Sequence, residues 1–513
     1  MQPPKTTHDR RWWTLAVLSV SLLVITIDGT VVNTALPTLA RDLDASSSQL
    51  QWIVDAYTLV FAGLLLVAGS LGDRFGRERA LSGGLVVFGA GSLAAAFSGS
   101  AAQLIASRSL MGVGAALIMP ATLSILTDVF QDRTERTKAI GIWAGVSGLG
   151  VAIGPTLGGF LLQHFEWGSV FLVNLPVVAI ALLGGRRFVP VSKAPVAPRL
   201  DPVGAVLSMA GLAALTYGLI EAPSNGWTST ATIGLLGGAV ALLGAFTWWE
   251  LRGTDHPMVE LGLFRNMRFT AASVSVTIVF FSLFGSLFLL TQILQNVLGY
   301  STLAAGAGAL PFALAMGAVS PIAAGMGRRI GTKLPVAAGL LLMAAGLTVM
   351  SAADAGTGFG YFVFATVLMG IGMGLAMAPA TDSIMGALPP EKAGVGSAIN
   401  DTVRNIGGVL GVAVIGSVAT SAFSSRMADA TAHLPSQAAD AASGSITGAL
   451  QVADAAGAAG STLAETARQS FMTAASGGEL VAAAVAVIGA ALALRYLPAR
   501  ETAPAGEPVP AGA

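Results

Sequence analysis

The stretch "GSLGDRFGRERAL" (Gly69–Leu81) decides the fold, because it sets five charged residues between two long apolar runs. Gly72 and Gly76 permit a tight turn. Asp73 falls at the end of the first run, where it can pair with Arg74, Arg77 or a helix N-terminus. A solvated loop is the plain reading. The order Gly69-x-Leu71-x-Asp73-Arg74-x-Gly76-Arg77 favours a latch between neighbouring helices.

The runs on either side belong to a long series. Of 513 residues, 54% are hydrophobic and only 11% charged, against about 25% in an average soluble protein. A membrane-spanning helix needs about 20 mostly apolar residues. Fourteen such spans are predicted: 13–37, 50–71, 80–99, 102–126, 139–162, 169–188, 203–221, 230–249, 270–293, 304–326, 335–353, 359–381, 398–420 and 478–497. The first follows Arg10–Arg11 like a signal peptide, but its length and the further spans make it a retained helix.

Basic residues test the count independently, since Lys and Arg favour cytoplasmic loops. With both termini inside, 22 of the 27 Lys and Arg fall on the inside. Arg41, Arg426 and Arg468 fall outside, and Arg108 and Arg404 within spans. One miscounted helix would invert every later loop. The eight Trp all fall near predicted span ends, as an aromatic belt requires. The chain therefore reads as an all-α polytopic membrane protein. The absence of Cys leaves no disulfide framework or thiolate site. Zero net charge argues against nucleic acid as partner. His8, His164, His256 and His433 all fall in predicted loops, which disfavours a His-based metal or catalytic site.

An internal repeat organises the spans. "PATLSI" (Pro120–Ile125) ends span 4 and "PATDSI" (Pro379–Ile384) ends span 12. "DRFG" (Asp73–Gly76) parallels "RRIG" (Arg328–Gly331), and Lys138 parallels Lys392. Each echo lies eight spans on, the spacing of a six-helix unit, a two-helix insert and a second six-helix unit. Parallel repeats of this kind make a transporter architecture, with the substrate site between the halves. The predicted division is a tail at 1–12, a six-helix bundle at 13–188, linkers with inserted spans 7 and 8 at 189–268, a second bundle at 269–497 and a tail at 498–513. The stretch 421–477, rich in Ala, Ser and Gly, reads as a long outer spacer. Part of it, "ALQVADAAGAAGSTLAETARQSF", has the pattern of a weakly amphipathic helix.

The residue order after span 2 resembles the signature loop of the major facilitator superfamily. Span 5 carries Gly141, Gly150, Gly154, Pro155, Gly158 and Gly159 in an order similar to that superfamily's antiporter motif. Physically, Gly150, Gly154 and Gly158 form a small-residue stripe that lets helices approach closely, and Pro155 removes a backbone hydrogen bond. "DGTVVNTALP" (Asp28–Pro37) in span 1 resembles the opening motif of the fourteen-helix drug:proton antiporters. "WIVDAYTL", "RSLMGVGAA", "FLVNLP", "QNVLGYS" and "NDTVRNIGGVLGVA" match as well, so the resemblance covers nearly the whole chain. It implies an exporter of drugs or antibiotics by proton antiport, multi-pass in the bacterial inner (cytoplasmic) membrane. It implies a small, lipophilic substrate, contact with membrane lipid, function as a monomer, and no cofactor beyond the proton as coupling ion.

The intramembrane charges are the candidate site. A charge at mid-bilayer costs about 2.5–3.5 kcal/mol on insertion scales, so one kept there is a functional hypothesis. Asp28, Asp55 and Arg108 share a depth in the outer half of the first bundle and can face one cavity. Either their contacts change between states and couple protonation to conformation, or Asp28 and Arg108 form a permanent register-fixing pair. The resemblance adds weight to Arg108, which stands at an arginine of the family's motif. Asp401 and Arg404, at i and i+3 on span 13, can pair on one face as a local or gate-forming bridge near the inner side. Asp382 can meet Arg404 or face the cytoplasm. Glu221 is a solvated span end or a substrate contact. Phe280, Phe281, Phe284 and Phe288 at helical spacing line a drug pocket or face lipid.

Other readings stay open at this point: an exporter or importer of an endogenous metabolite, a membrane-embedded enzyme, or a channel. An enzyme would need paired His or a Ser/Lys/His set within the spans, and no span contains Lys or His. A nucleotide-driven pump would need a phosphate-binding Gly-x4-Gly-Lys-Ser/Thr loop, which the sequence lacks.

Overall fold

A computed structural model describes residues 10–43, 45, 47–192, 201–253, 257, 259, 261–301, 304–305, 308, 310–388 and 393–498. Lys392, one of the repeat echoes, lies outside them, as does nearly all of the tail at 498–513. Among the described residues, fourteen helices are long and apolar enough to cross a membrane, as the apolar runs predicted.

The first bundle comprises α1 (Arg11–Asp42), α2 (Ser47–Phe75), α3 (Arg77–Ala96), α4 (Ala101–Val129), α5 (Arg133–His164) and α6 (Ser169–Phe188), the last with a one-residue break at Val173. The inserted pair is α7 (Pro202–Asn225) and α8 (Thr230–Arg252). The second bundle comprises α9 (Met267–Gln292), α10 (Leu310–Ile330), α11 (Lys333–Ser351), α12 (Phe359–Met385) and α13 (Ala393–Thr431). Two short helices follow, α14 (Ser436–Gly444) and α15 (Ile446–Ala455), and then the last spanning helix, α16 (Ser461–Tyr496).

Polar side chains start several of these helices. Ser100, Asp132, Asp201 and Ser229 each accept a hydrogen bond from a backbone N–H of the first turn they precede, satisfying donors the helix leaves open. Asp201 is followed by Pro202, whose fixed φ suits the first helical position.

Each bundle has its own apolar core. The two meet along α2 with α13 and α5 with α10. Both crossings depend on glycine. A Cβ on Gly69 would stand 2.6 Å from the Gly394 carbonyl oxygen, and one on Gly141 would stand 3.1 Å from that of Ser320. These contacts lie toward the helix ends that carry the basic loops, called the cytoplasmic side below. α7 packs on both α2 and α13 and so touches both bundles.

Three expectations need correction. The stretch 421–477 is helical along most of its length, not a spacer: α13 runs on to Thr431, and α16 begins at Ser461 instead of 478. Ala favours helix whether or not the segment is apolar enough to span, so a hydropathy window misses the extension. Ala442, Ile446, Ala449 and Ala453 anchor α14 and α15 by burial. Trp143 does not belong to an aromatic belt, because α5 begins at Arg133 and carries it into the interior, where its indole N–H donates to Thr122 Oγ1 at 3.3 Å. His164 is the last residue of α5, its ring tilted against that of Phe160, and not part of a loop.

Candidate functional site

α5 packs on α1 through a ladder of threonines and glycines. A Cβ on Gly150, Gly154 or Gly158 would overlap Thr26, Thr30 or Thr34 respectively. The stripe read from the sequence is thus the seat of one specific neighbour. The threonines turn their hydroxyls back onto carbonyls of their own helix. α5 runs unbroken through Pro155, and Gly159 is half-buried one place past the ladder.

The ladder holds α1 so that Asp28 faces the inside of the first bundle, with no exposure at all. Arg108 on α4 donates through Nη1 to Asp28 Oδ2 at 2.5 Å, and through Nε to the Ile53 carbonyl at 3.1 Å. Its guanidinium also lies 4.3 Å from the centre of the Tyr57 ring. Asn174 on α6 donates to the second carboxylate oxygen at 3.0 Å and to Ser92 Oγ at 2.9 Å. Five helices therefore converge on one carboxylate, whose charge is matched by a single buried cation. Asn174 is the asparagine of "FLVNLP", whose contact with Asp28 sequence reasoning did not foresee.

A cavity of about 800 Å³ lies between the bundles, within the size range of small-molecule sites. Its wall is mostly apolar, with Asp55 from α2 and Asp401 and Arg404 from α13 as its charged groups. The sequence placed Asp28, Asp55 and Arg108 around one cavity. Only Asp55 lines it; Asp28 and Arg108 sit behind Thr26, Gly29 and Tyr57. The reason is helical phase, since Asp28 and the cavity-lining Gly29 are neighbours about 100° apart around α1. Asp401 and Arg404 do pair, at 3.7 Å. The Arg404 guanidinium also lies over the rings of Trp143 and Phe280, at 4.9 and 5.1 Å from their centres. Phe280 and Phe284 line the cavity, whereas Phe281 does not and Phe288 points outward, 38% exposed. Glu221, half-buried near the end of α7, accepts from Asn225 at 3.2 Å, one residue from the cavity-lining Ile220.

The cytoplasmic side of the cavity is closed by polar clasps. Asp382 pairs with Arg136 on α5 at 3.4 Å, joining the bundles, and not with Arg404. Asp73 accepts from the backbone N–H groups of Gly394 and Val395 in the first turn of α13, at 3.0 and 3.2 Å. A carboxylate there satisfies open donors and meets the positive end of the helix. Arg77 holds Asp73 from its other side, Nε to Oδ1 at 2.9 Å, and its backbone N–H donates to the Ser192 carbonyl at 2.7 Å. Gly76 has φ +115°, a conformation that L side chains rarely adopt. The Arg74 guanidinium lies 5.5 Å from the centre of the Phe75 ring.

One buried acid escaped the sequence reading. Glu479 stands second in predicted span 14, where it passes for an end residue. With α16 begun at Ser461, it lies deep in the helix, 1% exposed. Among the described residues, no group of three or more His, Asp or Glu could hold a metal.

Comparison with known proteins matches residues 18–412 to the Major Facilitator Superfamily model. The tetracenomycin C resistance and export protein of Streptomyces glaucescens is 36% identical, over 99% of this chain and 96% of that protein. The multidrug efflux pump LfrA of Mycolicibacterium smegmatis is 36% identical, over 95% and 98%. The puromycin resistance protein pur8 of Streptomyces alboniger is 36% identical over 82% and 84%. Among solved structures, the human organic anion transporter MFSD10 aligns with a TM-score of 0.62 at 16% identity, over 96% of this chain and all of that one. The proton:xylose symporter XylE aligns with the same score at 13% identity, over 96% and 97%; at such identities the likeness is one of fold. With two bundles around a central cavity, the signature loop clasped to the opposite bundle, and a family match over most of its length, this chain belongs to the Major Facilitator Superfamily.

Proposed function

We propose that the chain is a secondary active exporter, multi-pass in the bacterial cytoplasmic membrane, that exchanges external protons for small lipophilic drugs or antibiotics. The observation that carries this reading is the Asp28–Arg108 pair, fully buried one wall behind a drug-sized cavity. A buried pair is neutral while it is closed. A proton on Asp28 leaves Arg108 as an uncompensated cation, so protonation favours a different packing of α1 against α4. That gives the proton a handle on helix positions at the cavity, the coupling that alternating access needs.

The other residues take places in the same cycle. Asp55, like Asp401, is a cavity carboxylate within reach of a cationic substrate. Asp401 and Arg404 form a gate at the cavity wall, and Glu221 stands at its mouth. Asp73 and the Arg136–Asp382 pair hold the cytoplasmic side shut, and opening them admits substrate from the cell. The reading has the chain working as a monomer in contact with lipid, with no nucleic acid, no chemical conversion of its substrate and no cofactor beyond the proton.

The test is drug movement in everted vesicles from a pump-deleted host, with tetracenomycin C and puromycin as probes. Accumulation of at least one should collapse on adding a protonophore while ATP is maintained. Asp28→Asn, compared per unit of membrane-inserted protein, should abolish accumulation. Accumulation that persists under full protonophore would overturn proton coupling.

A further inference from the structure

The first bundle keeps its buried carboxylate on its first helix, the partner cation on its fourth and a hydrogen-bond donor on its sixth. The second bundle has a related cluster with the roles exchanged. Its sixth helix, α16, carries Glu479, and its first, α9, carries Ser286, which donates to Glu479 Oε1 at 2.8 Å. The same Ser286 hydroxyl reaches Met369 Sδ on the fourth helix, α12, at 4.0 Å; in the first bundle Met111 Sδ lies 4.0 Å from Nη1 of Arg108, three residues earlier on the same helix.

The sequence supports the correspondence. "RSLMGVG" (Arg108–Gly114) aligns with "TVLMGIG" (Thr366–Gly372), so Met111 answers to Met369 and Arg108 to Thr366. Arg108 and Thr366 each stand seven residues into their helices. Asp28 and Glu479 each stand seventeen residues from the cytoplasmic ends of theirs, about 26 Å at 1.5 Å per residue. The two acids thus lie at one depth in the two halves.

Their surroundings differ in charge. Glu479 has Ser286 on one oxygen and nothing on the other. Arg268, Lys333 and Arg495 lie toward the cytoplasmic ends of the helices around it. Arg426, Asp429, Asp454, Glu465 and Arg468 lie toward the outer ends. Arg404 is ion-paired with Asp401 at 3.7 Å, and among the described residues no cation pairs with Glu479. A buried carboxylate without a cation is very costly, and the simplest group that removes the charge is a proton.

We propose that Glu479 is a second proton-binding site of the transporter, the counterpart in the second bundle of the Asp28–Arg108–Asn174 cluster, and that its proton exchanges during the transport cycle. Binding adds one proton to the free oxygen and neutralises the carboxylate, with Ser286 retained as donor to the other oxygen. The inference rests on the antiport reading above for the exchange step alone.

The decisive measurement is the pH-difference infrared spectrum of the full-length protein in lipid nanodiscs, with the proton itself as probe. The wild type should show a titrating carboxylic C=O band that Glu479→Gln removes and Asp28→Asn retains. Ser286→Ala, which takes away one hydrogen bond, should shift that band without abolishing it. A Glu479→Gln spectrum identical to the wild type overturns the proposal, and Ser286→Ala decides the question if Glu479→Gln does not fold. In proteoliposomes moving puromycin, Glu479→Gln should lower the protons moved per drug by one; an unchanged ratio overturns the exchange step. A wild type that moves puromycin without protons would overturn the antiport reading instead, and the infrared band would still decide whether Glu479 binds a proton.

Discussion

Asp28 and Glu479 are equally buried and equally deep, yet the bundles treat them in opposite ways. The first bundle gives its carboxylate a cation, an amide and the support of five helices. The second gives its carboxylate one hydroxyl. The same architecture thus surrounds a buried carboxylate with very different partners, and the fourth helices differ at matching positions, Arg108 in one copy and Thr366 in the other. The seam shows the same asymmetry. Asp73 caps α13 from the first bundle's loop, while Arg328 holds the corresponding place in the second loop's sequence.

The contrast can be broken most severely at Arg108. Arg108→Gln leaves Asp28 buried without its cation, a loss on the order of 3–5 kcal/mol, and the membrane level of folded protein should fall sharply. Adding Asp28→Asn should restore it. Equal loss in the single and double variants would show that charge compensation is not what the first bundle depends on.

The two bundles can also be made alike. Thr366→Arg places a cation at the position answering to Arg108, with Glu479 as its partner. Thermal stability of that variant should exceed that of Thr366→Arg with Glu479→Gln by roughly 3 kcal/mol, the cost of a buried charge left unpaired. No difference would mean that Glu479 is out of reach of the fourth helix.

At the seam, Asp73→Asn keeps the shape but removes the charge that faces the first turn of α13. Its cost adds the loss at the helix start, about 1 kcal/mol, to that of a buried Arg77 left without its carboxylate, and it should be visible in state as well as in stability. Spin labels on the cytoplasmic ends of α2 and α13 should show a wider distance population than in the wild type, and an unchanged distribution would place the clasp elsewhere.

The smallest effect is expected at Glu479. If it already holds a proton, Glu479→Gln exchanges one neutral group for another of similar shape, and thermal stability should change by no more than about 1 kcal/mol. A loss as large as that of Arg108→Gln would mean a charged carboxylate with a partner.

The membrane class, the fourteen crossings, the repeat and the clasp-forming loop are legible in the chain alone. These rest on quantities that add along the chain: summed hydropathy, the sidedness of basic residues and the residue order of a turn. Tertiary structure alone decided which way each polar group faces. A helix that is apolar nearly all round carries no phase in its pattern, so Asp28 and Asp55 looked alike in sequence. Only packing, with Thr26, Thr30 and Thr34 seated on Gly150, Gly154 and Gly158, turned Asp28 toward Arg108 while Asp55 lines the cavity. The pairing of Asp382 with Arg136, 246 residues apart, and the burial of Trp143 likewise depend on how the bundles meet. Glu479 went unseen because a hydropathy window dilutes one carboxylate near its edge. Its depth followed only once α14 and α15 packed against the bundle and α16 was seen to begin at Ser461.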